Sequence, residues 1–408
     1  MSSRRIAISL LVVVLAFGAV VAVILALIVG IWIGGRNGDL VPEPFRSTLV
    51  GSNDQIVVNE ALDRINDSYY RKLPPGQLAD TAIAGAVKKL NDRFSTYFTP
   101  AQYKKFEEAQ ASSFTGIGVT VDRSKRGLLI RSVYKGSPAK EAGIEVGDQI
   151  VEANGRSLKG LTTEQSSQLV KGPAGTKVRL KVVHDGKERT VVATRRAISV
   201  PVVASLMKTV CGKKIGIVAL SSFTSGAHAE VYAALQKLKK QGAEAYIFDL
   251  RNNGGGLVDE AQLIASAFLS DGPIVTTRGR NVRTRTLEAT GEPIVPKAPL
   301  VVLTNGGTAS ASEIVAGALQ DRGRATLIGE KTFGKGVFQQ VIELSNGGAL
   351  DITAGQYFTP KGRNLGGKGV AQGAGLKPDL LVKQPDEATK DLALRAALAK
   401  LGGCAKVN

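Results

Sequence analysis

Histidine and cysteine are scarce in this chain of 408 residues, which contains only His184, His228, Cys211 and Cys404. Structural and catalytic metal sites are commonly built from clusters of these residue types. No such cluster is present in the sequence, so neither a metal nor an organic cofactor is expected. Only the two histidines could supply an imidazole general base. The two cysteines could pair or remain free thiols, and the sequence favours neither.

Aromatic residues are also few, at 5% of the chain with one tryptophan, whereas 53 Lys and Arg against 35 Asp and Glu give a formal net charge of +18. Such a charge can attract nucleic acid, an anionic membrane or acidic polymers. Single-stranded nucleic acid is usually held by a basic groove with aromatic side chains on which bases stack. Here the basic residues are scattered without interleaved aromatics, so nucleic-acid binding is not expected.

Charge is absent from residues 6–33, which follow Arg4 and Arg5. The run is longer than the ~20 residues that span a bilayer and the ~7–15 of a cleaved signal core. The positive-inside rule places residues 1–5 in the cytoplasm and the chain after the run outside. We therefore expect residues 6–33 to form an uncleaved transmembrane signal anchor rather than a cleaved signal peptide. Residues 34–52 would be the linker of a single-pass cell-membrane protein, in a bacterial envelope.

An apolar run at residues 299–304 leads into a turn of small residues at 305–309, and a helical pattern begins at Ser310. A strand, a tight turn and a helix place Ser310 where backbone N–H groups favour negative charge. A serine hydroxyl becomes a useful nucleophile only when a base takes its proton. The turn alone does not identify that base.

Lys335 lies 25 residues further on, between Gly334 and Gly336. A lysine can act as a base if burial lowers its pKa from about 10.4 towards about 7–8. Residues 329–335 also match the start of a phosphate-binding loop, GxxxxGK. Gly336 stands where that loop has a Ser or Thr for magnesium, so a nucleotide site is rejected.

Together, the TASASEI sequence of residues 308–314 and the TFGKG sequence of residues 332–336 resemble the carboxyl-terminal processing proteases, which are Ser/Lys peptidases with a PDZ domain. The resemblance covers roughly residues 49–379. It implies that Ser310 is the nucleophile, that Lys335 is the general base, and that Gln339 orients the lysine.

Residues 112–197 resemble the PDZ domain of that family. The sequence FTGIGV at 114–119 is similar to a carboxylate-binding loop, which holds a peptide terminus while the peptide adds a strand to the sheet. The residues assigned to this loop are Gly116, Ile117, Gly118 and Val119. In some relatives an arginine couples the PDZ domain to the active site. This chain has Lys171 there, which lacks the guanidinium fork, so that role is not carried over.

Residues 198–383 resemble the protease core. The strand AYIFDL (245–250) is followed by RNNGGG, which is similar to the family's D-L-R-x-N-P-G-G with Gly254 in place of proline. The resemblance implies that the backbone N–H groups of Gly255 and Ala311 form the oxyanion hole. We interpret Asp249 and Arg251 as a structural ion pair rather than as catalytic residues.

The predicted fold is therefore α/β, with a ClpP/crotonase-like core and a PDZ domain. Residues 53–111 form an N-terminal helical region, interpreted as a packing and dimerisation module, and residues 384–408 a C-terminal helix and tail. The predicted function is endoproteolysis of envelope proteins or peptides near their carboxyl termini, which are the expected partners. A homo-oligomer or an adaptor protein is also possible. Two alternatives stay open: a catalytically silent PDZ adaptor and a crotonase-like acyl-CoA enzyme.

Overall fold

The computed structural model describes residues 20–22, 53–111, 113–367, 370, 373–385 and 389–403. Within these ranges, no helix has the length and apolar character needed to cross a bilayer. The predicted anchor at residues 6–33 lies outside the described residues except for 20–22, and the linker at 34–52 and Cys404 lie wholly outside them. The chain divides into two compact units, residues 1–86 and residues 87–408.

The first unit contains helix α1 (Asn53–Ser68) and most of helix α2 (Gln77–Lys88). Both helices lie in the region of residues 53–111 that the sequence predicts to be helical. Most side chains of α1 are exposed, including Val57, Val58 and Ile65.

The second unit opens with strand β1 (Thr96–Phe98) and helix α3 (Pro100–Gln110). Thr99 begins α3 with a capping box. The Thr99 side chain accepts from the N–H of Gln102, and the Gln102 side chain accepts from the N–H of Thr99. Such a box satisfies helix N–H groups that have no partner in the helix. Strand β1 pairs with a distant segment, and Thr96 lies opposite Asp351.

The PDZ region forms a sheet of order β3-β4-β5-β7-β8, with β6 paired to β5 and a separate pair β2-β9. Alternating residues of the central strands, among them Ile130, Ile150 and Leu180, are buried in one apolar cluster. Its elements are β2 (Ser113–Gly116), β3 (Val119–Ser124), β4 (Gly127–Val133), α4 (Pro138–Glu141), β5 (Gln149–Ala153), β6 (Arg156–Ser157), α5 (Thr163–Val170), β7 (Lys177–His184), β8 (Lys187–Thr194) and β9 (Arg196–Ser199).

The core is built from two sheets. Its elements are β10 (Val203–Val210), β11 (Lys213–Leu220), α6 (Ala227–Lys240), β12 (Ala245–Asp249), α7 (Val258–Ser266), β13 (Pro273–Arg278), β14 (Arg285–Glu288), β15 (Leu300–Thr304), α8 (Ala311–Asp321), β16 (Thr326–Gly329), β17 (Val337–Glu343), β18 (Ala349–Phe358), β19 (Leu380–Leu381) and α9 (Leu392–Gly402). One sheet has the order β10-β11-β12-β15-β16-β19, and the other has the order β1-β18-β13-β14 with β17 also paired to β18.

The first of these sheets is parallel from β11 to β19 and has both faces covered. On one face, side chains such as Phe248 and Val302 join the buried cluster with α6, α7 and α8. On the other, Ile247 and Val301 pack with α9. Strands buried on both faces account for near-continuous apolar runs such as AYIFDL. The mixed α/β fold class predicted from sequence is confirmed.

The candidate site lies at the carboxyl ends of the two central strands of this sheet, β12 and β15. Strand β12 ends at Asp249 and β15 ends at Thr304, and the two are parallel neighbours. Their following loops therefore leave the same edge of the sheet and meet, with the N–H of Asn252 donating to Asn305 Oδ1 at 2.9 Å. Ligand sites of open α/β sheets are commonly found at this edge.

Candidate active site

Ser310 lies at the junction of the β15 loop and helix α8, with φ +57° and ψ −119°. A positive φ is unfavourable for a residue with a Cβ, and such strain clusters at functional sites. Neighbouring contacts hold the turn in place: Ala309 N–H and the Ser312 hydroxyl both donate to the carbonyl of Asn253, at 3.0 and 2.9 Å. The turn predicted from small residues thus presents Ser310 at a helix start.

Gly255 packs directly against that turn. With φ +101°, a Cβ added there would lie 2.8 Å from the Cβ of Ser310 and 2.9 Å from the nitrogen of Ala311. Only glycine fits this approach, because any larger residue would push the β12 loop away from Ser310.

The two predicted oxyanion donors differ in their hydrogen bonding. The Gly255 N–H donates to Asn253 Oδ1 at 2.9 Å, so this bond already occupies the donor. The Ala311 N–H is at the first turn of α8, where helix N–H groups have no partner in the helix. The structure brings both residues beside Ser310 but leaves the Gly255 N–H committed to Asn253.

A buried carboxylate connects the serine turn to the lysine loop. Glu313 is 0% exposed, and its Oε2 accepts from the N–H groups of Ser310 (3.0 Å) and Lys335 (2.9 Å). Its Oε1 accepts from the N–H of Gly334 at 2.8 Å and from the hydroxyl of Thr332. Burial raises the pKa of the Glu313 carboxyl, and these four donors oppose that shift by stabilising the ionised form.

Glu313 is a site residue that the sequence-based predictions above do not include. A signal was available, since Ser310 and Glu313 have the S-x-x-E spacing of a capping box, in which the acidic side chain turns back to the first N–H. The same side chain also reaches the lysine loop, and only the fold reveals that contact.

Lys335 is held by Gln339. Its Nζ donates to Gln339 Oε1 at 2.6 Å, and Gln339 Nε2 donates to Thr353 Oγ1 at 3.2 Å. Burial lowers the pKa of Lys335, while the negative charges of Asp351, Asp92 and Glu313 act in the opposite direction. Among the described residues, no hydrogen bond joins Lys335 Nζ to the Ser310 hydroxyl.

The segment before β1 borders this lysine. The ring centroid of Phe94 lies 5.1 Å from Lys335 Nζ, and the Ser95 hydroxyl accepts from the N–H of Thr353 at 2.9 Å. Residues 53–111, which the sequence suggests are a packing and dimerisation module, therefore also contribute residues that border Lys335, and the sequence does not predict this contact. Sequence separation explains the omission, since the contact of Ser95 with Thr353 joins residues 258 positions apart.

Asp249 and Arg251 form the structural ion pair that the sequence predicts. The guanidinium binds both carboxylate oxygens of Asp249, at 2.9 and 2.6 Å, and both oxygens of Asp391, which caps the start of α9. The arrangement anchors the β12 loop to α9, and all four bonds are charge-assisted.

Both histidines are held by acidic partners. His184 Nδ1 lies 2.7 Å from the buried Asp148, and His228 Nδ1 lies 2.9 Å from Glu260. His184 is the last residue of β7, and its ring contacts a buried carboxylate. His228 lies in the first turn of α6, and its side chain is 34% exposed. Within the described ranges, no three or more His, Cys, Asp or Glu side chains are grouped as metal ligands would be.

The predicted carboxylate loop lines a small apolar pocket of about 60 Å³ between β3 and α5. Gly118 has φ +79°, and a Cβ there would lie 2.4 Å from the Cβ of Ser137, so glycine is required. At the pocket rim, Lys171 Nζ lies 3.0 Å from Glu108 of α3 and 5.9 Å from the Phe114 ring centroid. The lining residues are Phe114, Gly116, Ile117, Gly118, Val119, Val121, Leu128, Ile150, Ser167, Val170 and Lys171.

Known proteins share this combination of core and PDZ domain. Residues 214–382 match peptidase family S41 and residues 129–183 match a PDZ domain. The carboxy-terminal processing protease CtpA of Bacillus subtilis is 37% identical over 345 residues, covering 84% of this chain and 72% of its own. The carboxyl-terminal-processing protease of Synechocystis is 39% identical over 310 residues, with 75% and 71% covered.

A Bacteroides fragilis structure described as an S41 protease candidate is similar in fold, with a TM-score of 0.50 at 20% identity over 84% of this chain and 97% of that one. The two matched regions define a peptidase with a PDZ domain. The chain belongs to peptidase family S41, among the carboxy-terminal processing proteases.

Proposed function

We propose that this protease uses a Ser/Lys dyad, in which Ser310 attacks the scissile carbonyl and Lys335 Nζ takes the hydroxyl proton. The observation that carries the proposal is the shared anchor of the two residues on Glu313, together with the half-buried, Gln339-bound lysine. Burial favours the neutral amine that a base must present. As the tetrahedral intermediate collapses, the C–N bond breaks and the lysine ammonium gives its proton to the leaving amine, so the acyl group stays on Ser310 Oγ. The neutral lysine then takes a proton from the water molecule that attacks this ester, and it returns the proton to Ser310 as the carboxylate product leaves.

The negative charge of the tetrahedral intermediate would be stabilised by the N–H groups of Ala311 and Gly255, beside the start of α8. For Gly255 this requires release from Asn253 Oδ1, its partner in the present arrangement. Substrate binding would supply that rearrangement, and the left-handed backbone of Gly255 gives the loop the freedom to make it.

The proposed substrate is a protein or peptide whose free carboxyl terminus enters the pocket bounded by Gly116, Ile117, Gly118 and Val119. Strand β3 is at the edge of its sheet, so an extended peptide can add to it. The apolar lining favours an apolar last residue. Membership of the S41 peptidases argues against an acyl-CoA enzyme. The Ser310, Glu313 and Lys335 arrangement argues against a silent adaptor.

Two matched peptides test this function. Wild-type protein should cleave an unstructured, apolar-tailed peptide with a free carboxyl terminus, and Ser310→Ala should not. Amidating that terminus should reduce kcat/KM by roughly 10- to 150-fold, because one charge-assisted interaction with the loop is worth roughly 1.5–3 kcal/mol. Equal cleavage of the two peptides would contradict a carboxylate-binding gate. Cleavage by Ser310→Ala would contradict the nucleophile.

We also propose the membrane anchor predicted from residues 6–33, with the protease and PDZ domains outside the cytoplasm. The support is the uncharged run after Arg4 and Arg5. Intact mass measurement of protein purified from membranes should find the first 33 residues retained. A version starting after residue 52 should be released from membranes but keep its peptidase activity. A mature terminus beyond Gly34 would rule the anchor out.

A further inference from the structure

The amide of Gln339 is oriented by hydroxyl groups that lie outside the serine and lysine loops. Gln339 and Thr353 face each other across β17 and β18, next to a register shift between Phe338 and Gln339. Gln339 Nε2 donates to Thr353 Oγ1, which leaves Oε1 directed at Lys335 Nζ. An amide turned by 180° would present its NH₂ to the lysine and lose the acceptor.

Thr353 is in turn held by the segment that precedes β1. The Ser95 hydroxyl accepts from the Thr353 N–H at 2.9 Å and donates to Asp92 Oδ2 at 2.6 Å. Asp92 Oδ1 also accepts from the N–H of Phe94 at 2.9 Å, which places the Phe94 ring over Lys335. A chain of polar contacts thus runs from Asp92 through Ser95, Thr353 and Gln339 to Lys335.

We propose that Ser95 and Thr353 are positioning residues for Lys335, acting through the orientation of the Gln339 amide. The inference rests on the proposed Ser/Lys chemistry and adds two residues to it. Water competes weakly for these hydrogen bonds, because every side chain in the chain of contacts is at least partly buried. These side chains are Asp92, Ser95, Thr353, Gln339 and Lys335. The network also gives a reason for the packing of residues 91–95 against the core, because this segment supports the proposed base.

The test compares Thr353→Val, which removes the hydroxyl but keeps the β-branched shape, with Thr353→Ser, which keeps the hydroxyl. Thr353→Val should lower kcat by at least about tenfold with little change in KM, because a displaced base loses reactive geometry. Thr353→Ser should recover most of that rate. Ser95→Ala should lower kcat in the same direction. The matched control is Thr276→Val on β13 of the same sheet, because the Thr276 hydroxyl forms a hydrogen bond with the Thr286 hydroxyl, away from Lys335. The kcat of this variant should stay within about twofold of the wild-type value.

The pH profile separates positioning from a general loss of structure. The groups with charges acting on Lys335 are Asp92 before β1, Asp351 on β18 and Glu313 on α8, and Thr353→Val leaves all three in place. Gln339 Oε1 accepts most strongly from the charged ammonium, so losing its orientation should move the acidic limb of kcat to lower pH. Thr353→Ser should restore the wild-type limb.

Three results would overturn the inference: a wild-type kcat for Thr353→Val, equal losses in Thr353→Val and Thr353→Ser, or a lower kcat with an unmoved acidic limb. Wild-type protein and Ser310→Ala are assayed alongside. If wild-type protein does not cleave, or if Ser310→Ala does, the proposed function itself has failed. If both behave as expected, the Thr353 series reports on the positioning network alone.

Discussion

Replacing Lys335 with arginine is expected to abolish peptide cleavage as fully as replacing it with alanine. Arginine keeps the positive charge and can still donate to Gln339, but it does not deprotonate in the working pH range. A general base contributes about 10²–10⁴-fold to rate, so kcat/KM for a free-acid peptide should fall by at least about that factor. The measurement is initial-rate hydrolysis by folded variants.

The proposed role of Lys335 also predicts the pH dependence of the wild-type enzyme. Burial lowers the pKa of Lys335, which favours the neutral amine, and Asp351, Asp92 and Glu313 limit the shift. The base works only when neutral, so cleavage should rise with pH through the lowered pKa of the lysine and reach a plateau above it. A rate that falls through this range would contradict the assignment.

Lys331→Arg is the matched control, because Lys331 is exposed and precedes Lys335 in the same loop. Its effect on kcat/KM should be within about twofold, as is usual for surface substitutions. Near-normal turnover by Lys335→Arg would exclude lysine as the base. His228 would then be the next candidate for the base, although its Nδ1 already forms a hydrogen bond with Glu260.

Local sequence patterns predict the parts of this molecule that depend on local physics. The apolar run before Ser310 predicts strand β15, and the small residues after it predict the turn, because few other residues tolerate such a backbone. The role of Gly255 is implied only by the resemblance of RNNGGG to a family motif, and in the structure this glycine packs closely against Ser310. The assignment of Asp249 and Arg251 to a structural ion pair also follows from their place at a strand end.

The remaining parts of the site depend on contacts that sequence periodicity does not encode. No local pattern marks Thr353 or Ser95 as a site residue. They meet only because β1 pairs with β18. The Gly255 N–H has two possible acceptors: Asn253 Oδ1, to which it donates in this structure, and the oxyanion of a bound reaction intermediate. A motif can identify the donor but not its partner in the unliganded protein.

Replacing Glu313 with glutamine is expected to cost both stability and activity. Each carboxylate oxygen accepts two donors: Oε1 accepts from Thr332 and Gly334, and Oε2 accepts from Ser310 and Lys335. The Thr332 hydroxyl itself accepts from the N–H of Leu376 at 2.7 Å, so its proton points to Glu313. Whichever oxygen the amide nitrogen replaces, two buried donors would face an NH₂ group.

An unsatisfied buried donor costs about 1–3 kcal/mol, so the free energy of unfolding should fall by about 2–6 kcal/mol. Cleavage, measured at a temperature where circular dichroism shows the variant folded, should fall by about 100-fold or more, because the serine turn and the lysine loop lose their common anchor. If Glu313→Gln does not fold, Thr332→Val gives a milder test. It removes one donor and leaves the Leu376 N–H unpaired, for an expected loss of about 1–3 kcal/mol.

Glu330→Gln provides the comparison for this prediction. Glu330 is partly exposed, and its Oε1 accepts from the backbone N–H of Gln384 at 2.9 Å. A glutamine there can turn its carbonyl oxygen to the same N–H, so the free energy of unfolding should change by less than about 1 kcal/mol and cleavage should be retained. A Glu313→Gln protein with wild-type denaturant midpoint and wild-type cleavage would show that the buried carboxylate does not hold the two halves of the site together. The position of Lys335 relative to Ser310 would then have to come from the strand β17 backbone and the Gln339 contact alone.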